Sequence, residues 1–214
     1  MEQRYAELHA HSAFTFLDGT DEPAQMVAEA ARLGLDALAI LDVDGMYSTV
    51  QTTVAARDVG LPIVYGAELT LTPDALRGII PGTQAPGWGL APGADDPGIR
   101  LPVLAQSPGG YANLVGAMSE RALSAPGERN PCHSLVDLSV AGGDLIVLTG
   151  GRRGPLMRAL RAGGTVSARR VLDGLVDTFG RDQVLVEWQA ARGDEGEVGD
   201  TLAELACASG TRLV

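Results

Sequence analysis

Apolar and polar residues alternate along this chain with two different periods, and the places where the period changes mark its elements. Tyr5–Leu8 alternates apolar with polar and predicts a first strand. Glu22–Leu33 places Met26, Val27, Ala30 and Leu33 at helical spacing, with Pro23 in the first turn and Gly34 just past the end. Ala37–Leu41 is a buried-strand run, Thr49–Val59 a second helix closed by Gly60, and Pro62–Glu68 a third strand. Residues 73–99 break the rhythm with five prolines among many glycines, predicting a loop or insertion. Leu101–Ala105, Leu145–Leu148, Val184–Trp188 and Thr211–Val214 read as strands four to seven. Helices are predicted over Ala112–Leu123, Gly154–Arg161, Ser167–Phe179 and Glu197–Ala208.

Strand–helix units in this order predict a parallel α/β sheet, either an open doubly wound sheet or, as the better fit, a distorted seven-stranded (β/α) barrel. Residues 1–214 are expected to form a single domain. No apolar run reaches the roughly 18–20 residues that span a bilayer, and the N-terminus lacks the apolar stretch of a signal peptide, so no membrane partner is expected. Cys132 and Cys207 show no metal or redox spacing, which points to a reducing cytoplasm. All 16 basic residues are arginine and the formal net charge is −11. Phosphate contacts dominate nucleic-acid affinity, so weak or no DNA binding by the chain alone is expected.

Candidate chemistry gathers early. His9 and His11 sit two residues apart, so an extended strand can aim both imidazoles at one point. Asp18 follows in Leu17-Asp18-Gly19, where Asp-Gly also suits a tight turn. Asp42 and Glu68 fall at the ends of strands two and three, where α/β enzymes collect their chemistry. Imidazole and carboxylate together are ligands for zinc, manganese or iron. Asp42 reads mainly as a hydrogen-bonding residue. His133 beside Cys132 lacks a second pair to complete a zinc site, and Gly150–Gly154 lacks the Lys-Ser/Thr of a phosphate loop.

Three segments, YAELHAHSAFTFLDG at 5–19, LAILDVDGMY at 38–47 and VYGAEL at 64–69, closely resemble the start of a PHP (polymerase and histidinol phosphatase) domain. More narrowly, they resemble the N-terminal domain of bacterial C-family DNA polymerases of the polymerase III alpha type, in the error-prone, damage-induced branch. LPVLAQSPGGYANL at 101–114, IVLTGGRRG at 146–154 and VLVEW at 184–188 extend the likeness over nearly the whole chain. The resemblance implies a barrel whose mouth holds up to three divalent ions through about nine residues. In some members this cluster hydrolyses phosphoesters, including 3′–5′ exonuclease proofreading, and in others the domain is a structural module.

Carried over position by position, the resemblance assigns metal ligation to His9, His11, Asp18 and Glu68. It also implies that Val43, Arg100 and Gly151 stand where ligands belong, and that the chain ends before the last ligand pair. Four ligands suffice for one zinc or manganese ion and not for a multi-metal cluster, so partial occupancy or no metal is expected. The implied function is a non-catalytic module related to error-prone replication and translesion repair, lacking the polymerase core and partnered by that core or by other repair proteins. The alternative is a metal-dependent phosphoesterase or exonuclease working on the residual site.

Overall fold

The computed structural model describes residues 4–72, 76, 98–125, 132–140, 143–189 and 196–214. Its elements follow the sequence pattern closely at the front of the chain. Strand β1 (Ala6–Ala10) leads to helix α1 (Pro23–Leu33), β2 (Ala37–Ile40), α2 (Thr49–Val59), β3 (Ile63–Val64) and β4 (Gly66–Leu71). Helix α1 begins with a capping box in which the Gln25 side chain accepts from the Glu22 amide at 3.1 Å, and ends on left-handed Gly34. Next come β5 (Ile99–Ala105), α3 (Pro108–Ser124), α4 (Leu135–Val140) and β6 (Leu145–Leu148). Helix α5 (Pro155–Phe179), β7 (Val184–Val186), α6 (Glu197–Ser209) and β8 (Arg212–Leu213) complete the chain.

Three differences from the sequence pattern are informative. Helix α3 starts four residues early because Ser107 caps it, its hydroxyl accepting from the Gly110 amide at 3.0 Å, with Pro108 in the first turn. The two helices predicted around residues 154–179 are joined as α5, with non-helical backbone at Gly163 and Gly164 marking the break between them. The third strand continues past Glu68 to Leu71 with an interruption at Tyr65. The segment expected as an insertion at 73–99 lies outside the described residues except for Leu76, Gly98 and Ile99, the last of which opens β5.

β1, β2 and β3 pair in parallel, and β4 to β8 form a second hydrogen-bonded set in sequence order. The two sets are joined through Glu68, whose amide donates to Asp42 and whose carbonyl accepts from Asp44. The sheet is mixed, because β5 runs antiparallel to both β4 and β6, while β6–β7 and β7–β8 are parallel. Alternation of apolar residues encodes which face of a strand is buried and carries no information on its direction, so the strand predicted at Leu101–Ala105 is present as β5 but its reversal could not be read.

The sheet curls strongly. Laid flat, β1 and β7 would stand five strand spacings apart, about 24 Å. Instead, His9 of β1 hydrogen-bonds Glu187, just past β7, at 2.7 Å. Ala39, Leu41, Leu104, Ile146, Leu148 and Leu185 form one buried cluster on the concave face, with Leu8 and Val64 packed against it. On the convex face, α1 and α2 cover β2 through Val27, Ala30, Leu38, Ile40 and Ala56. The larger outer core joins β4–β7 to α3–α6 through residues such as Leu69, Leu101, Leu114, Leu156, Leu172 and Leu202. Among the described residues no strand pairing joins β1 to β8, so the expected closed barrel is not formed there and the sheet is an open, curled one.

The close approach of β4 to β5 can be tested at Gly66. A Cβ built there meets the Val103 carbonyl oxygen at 2.2 Å and Leu41 Cδ2 at 2.7 Å, whereas one at Gly116 in α3 meets nothing within 4 Å. Gly66→Ala is expected to destabilise the chain by about 2 kcal/mol or more. Gly116→Ala should stabilise it by roughly 0.5–1 kcal/mol. Urea denaturation of the two variants beside the parent chain checks both signs.

Candidate metal centre

The pairing of β1 with β2 gains a residue on β1, since Glu7 and Ala10 lie opposite Leu38 and Ile40. Such a bulge breaks strict alternation and re-aims a side chain. Leu8 therefore packs in the concave cluster and Ala10 against the convex one, while His9 between them also turns inward. His11 follows two residues on, and its ring meets that of His9 edge-to-face with centroids 5.2 Å apart. The structure thus brings together His9 on β1 and His11 just past its end, two of the four predicted site residues, and Glu68 of β4 joins them.

His9 Nε2 lies 3.2 Å from Glu68 Oε1, and His11 Nε2 lies 3.2 Å from Glu68 Oε2. None of His9 Nε2, His11 Nε2 and Glu68 Oε2 has a hydrogen-bond partner, although all three are buried. One ligand atom from each of the three residues falls within 4.8 Å of the others. Ligands of a tetrahedral zinc ion stand about 3.4 Å apart, so the set needs only small adjustments to hold one cation. Buried, convergent and unpaired nitrogen and oxygen atoms are what such an ion would satisfy. His9, His11 and Glu68 are therefore the residues that could hold a metal.

Behind His9 stands a buried carboxylate that the sequence reading passed over. His9 Nδ1 donates to Glu187 Oε1 at 2.7 Å, which turns Nε2, the atom a metal would take, toward Glu68. Gln189 Nε2 donates to the same Glu187 oxygen at 2.7 Å. The signal for Glu187 was present in the sequence, a single carboxylate ending the apolar run Val184–Val186 just as Glu68 interrupts its own strand. Burial alone would push the His9 imidazole down, but the hydrogen bond to Glu187 and the contact with Glu68 raise it to about 10. Burial would likewise raise Glu68, yet contact with His11 and His9 lowers it to about 2.

Asp18 lies outside this trio, and its Oδ2 accepts from Arg153 Nη1. Asp42 is saturated by four donors, from the Ser12 amide and hydroxyl, the Thr15 hydroxyl and the Ser48 amide. It fastens the loop after β1 to the end of β2, the hydrogen-bonding role read from the sequence. Val43 sits beside Glu68 as a backbone bridge partner. At Gly151 a Cβ would fall 1.9 Å from Gln189 Oε1, so the Gln189 amide fills the space a side chain there would take. Arg100 is buried and reaches the cluster, with Nη1 at 3.7 Å from Glu68 Oε2. His133, also buried, is held by backbone bonds to Thr70 on β4 and Thr72 just past it, away from the trio.

The family model described as the PHP domain matches residues 7–191. An error-prone DNA polymerase of Mycolicibacterium paratuberculosis is 44% identical over 184 residues, which are 86% of this chain and 16% of that protein. The corresponding protein of Cutibacterium acnes is 40% identical over 205 residues, 94% of this chain and 17% of its own length. The chain thus spans only a small part of the curated relatives it matches. A predicted metal-dependent phosphoesterase from Bifidobacterium adolescentis superposes with a TM-score of 0.58 at 17% identity, covering 98% of this chain and 85% of that one. An amidohydrolase from Chromobacterium violaceum, with bound sulfate and no metal, gives 0.58 at 15% identity, covering 97% and 84%. These two share the fold. Matched over most of its length by the family model and by relatives at 40–44% identity, the chain belongs to the PHP domain family, in the form found in error-prone DNA polymerases.

Proposed function

We propose that residues 1–214 form a single PHP-type module, curled in the manner of the family's distorted barrel, that serves an error-prone polymerase as a structural part and not as a hydrolase. The observation that carries this reading is the commitment of polar groups around the trio. Arg153 engages Asp18, Arg100 stands against Glu68, and Gln189 fills the space over Gly151. What is left can bind one zinc or manganese ion through His9, His11 and Glu68, with Glu187 orienting His9 from behind. A bound ion would supply positive charge that links β1 to β4 and draws the curled sheet together. The partner is a polymerase core or another repair protein, and the setting is cytoplasmic. Among the described residues no helix is long and apolar enough to cross a membrane. The net charge of −11 leaves DNA binding to that partner.

A second reading is favoured by one feature. Three protein ligands with an open fourth position, one histidine backed by a carboxylate, is also the layout of catalytic zinc sites. In that reading the residual site hydrolyses a phosphoester. The two readings separate when the purified chain is incubated with Mn²⁺ or Zn²⁺ and either a 3′-labelled single-stranded DNA or a generic phosphate ester. No turnover above background is expected. Turnover that disappears in a His9→Ala, His11→Ala double variant would establish the hydrolase.

The buried ionisable groups also set a pH dependence for the metal-free chain. His9, raised from 6.5 to about 10, contributes stability that is complete below pH 6.5 and is lost as pH climbs through 10. Glu68, lowered from 4.5 to about 2, contributes stability that is present above pH 4.5 and is lost as pH falls through 2. In the presence of chelator, the urea midpoint is expected to decline between pH 6.5 and 10, and His9→Gln should flatten that decline. Metal must displace the His9 proton, so zinc affinity measured by competition should rise over the same interval, by at most about ten-fold per pH unit.

A further inference from the structure

Arg100 is placed by the sheet itself. On β5 it lies opposite Thr70 of β4, while Glu68 lies opposite Pro102, so Arg100 and Glu68 are diagonal neighbours on one face. Its amide donates to the Arg153 carbonyl at 3.0 Å, which fixes this end of β5 against the loop after β6. The residue is 8% exposed, and its Nε and Nη1 are buried without hydrogen-bond partners. A buried guanidinium ordinarily forms a two-pronged pair with a carboxylate. Here the only ion pair Arg100 makes among the described residues is a single contact of 3.7 Å, to the Oε2 atom that also faces His11. Hydrogen bonding does not explain why the side chain is there, but the negative charge of the cluster does.

We infer that Arg100 is a resident cation of this centre, occupying the Oε2 side of Glu68 and limiting the site to one weakly held divalent ion. The inference rests on the metal-binding reading of His9, His11 and Glu68. Two buried carboxylates, Glu68 and Glu187, face the cluster. A single divalent ion beside neutral imidazoles would balance them. With the guanidinium added, three positive charges meet two negative ones, and a second divalent ion would raise the excess to three. The other acidic groups on this face are engaged, Asp18 by Arg153, Asp42 by its four donors and Asp44 by the amide and hydroxyl of Thr70. An ion held by the trio would therefore be opposed by a fixed positive charge, since Arg100 Nη1 lies 3.7 Å from Glu68 Oε2.

The test is direct titration of the chelator-treated chain with Zn²⁺ alone, and separately with Mn²⁺ alone, by calorimetry. Elemental analysis after dialysis counts the ions retained. The parent chain is expected to bind one ion. Arg100→Met and Arg100→Gln should bind one ion at least about ten-fold more tightly. Arg100→Lys, which keeps the charge, should bind as the parent does. Thermal melts of each metal-free variant verify folding, and the Lys variant keeps the comparison meaningful if a neutral variant fails to fold, because a ten-fold tighter Lys variant would by itself overturn the charge argument. Equal affinities in all variants, or two ions in the parent chain, overturn the role of Arg100 and leave the metal site standing. No binding in any variant overturns the metal reading, and this inference with it.

Discussion

A carboxylate removed from water must be met by positive charge or hydrogen-bond donors, and Glu68 and Glu187 place that demand at the centre of this molecule. Glu68 sits on β4 and Glu187 beyond β7, yet both converge on His9 of β1. Satisfying them draws distant strands together, and the apolar cluster on the concave face, contributed by β2, β5, β6 and β7, makes the same curvature favourable from the other side. Polar demand and apolar burial thus act in one direction. Each would be weaker alone, since a curled sheet with an unpaired acidic centre would carry a large desolvation cost.

The neighbourhood of the trio is crowded with committed polar groups. His9, His11 and Glu68 converge, and Glu187 fixes the His9 ring. Around them, the positions to which the family resemblance assigns further ligands hold a valine, a glycine and an arginine. The surroundings are not empty, because Gln189, Arg100 and Arg153 have filled or neutralised what those positions leave. Even so, His9 Nε2, His11 Nε2 and Glu68 Oε2 remain buried without hydrogen-bond partners at the centre of this arrangement.

Much of this was legible in the sequence, and the legible part has a physical basis. Helix ends were marked by Pro23, Gly34 and Gly60, because capping geometry demands those residues. His9 and His11 announced themselves because two imidazoles at strand spacing are unusual. The bulge that turns His9 inward was not legible, since register depends on the partner strand. Strand direction at β5 was hidden for the same reason. Glu187 was missed because a carboxylate at a strand end is usually solvated, and its burial follows only from the curl that brings β7 to β1. Asp18 was read as a ligand, and whether it serves as one rests on Arg153, a residue 135 positions away whose approach no local pattern encodes.

The fit between Gly151 and Gln189 couples two distant positions. A Cβ at 151 would meet the Gln189 amide, which also donates to Glu187. Gln189 is exposed, so its flexible end can swing into solvent and admit a side chain at 151. That movement would strip a donor from the carboxylate that orients His9, so a change at the rim of the sheet would be relayed to the imidazole through two hydrogen bonds.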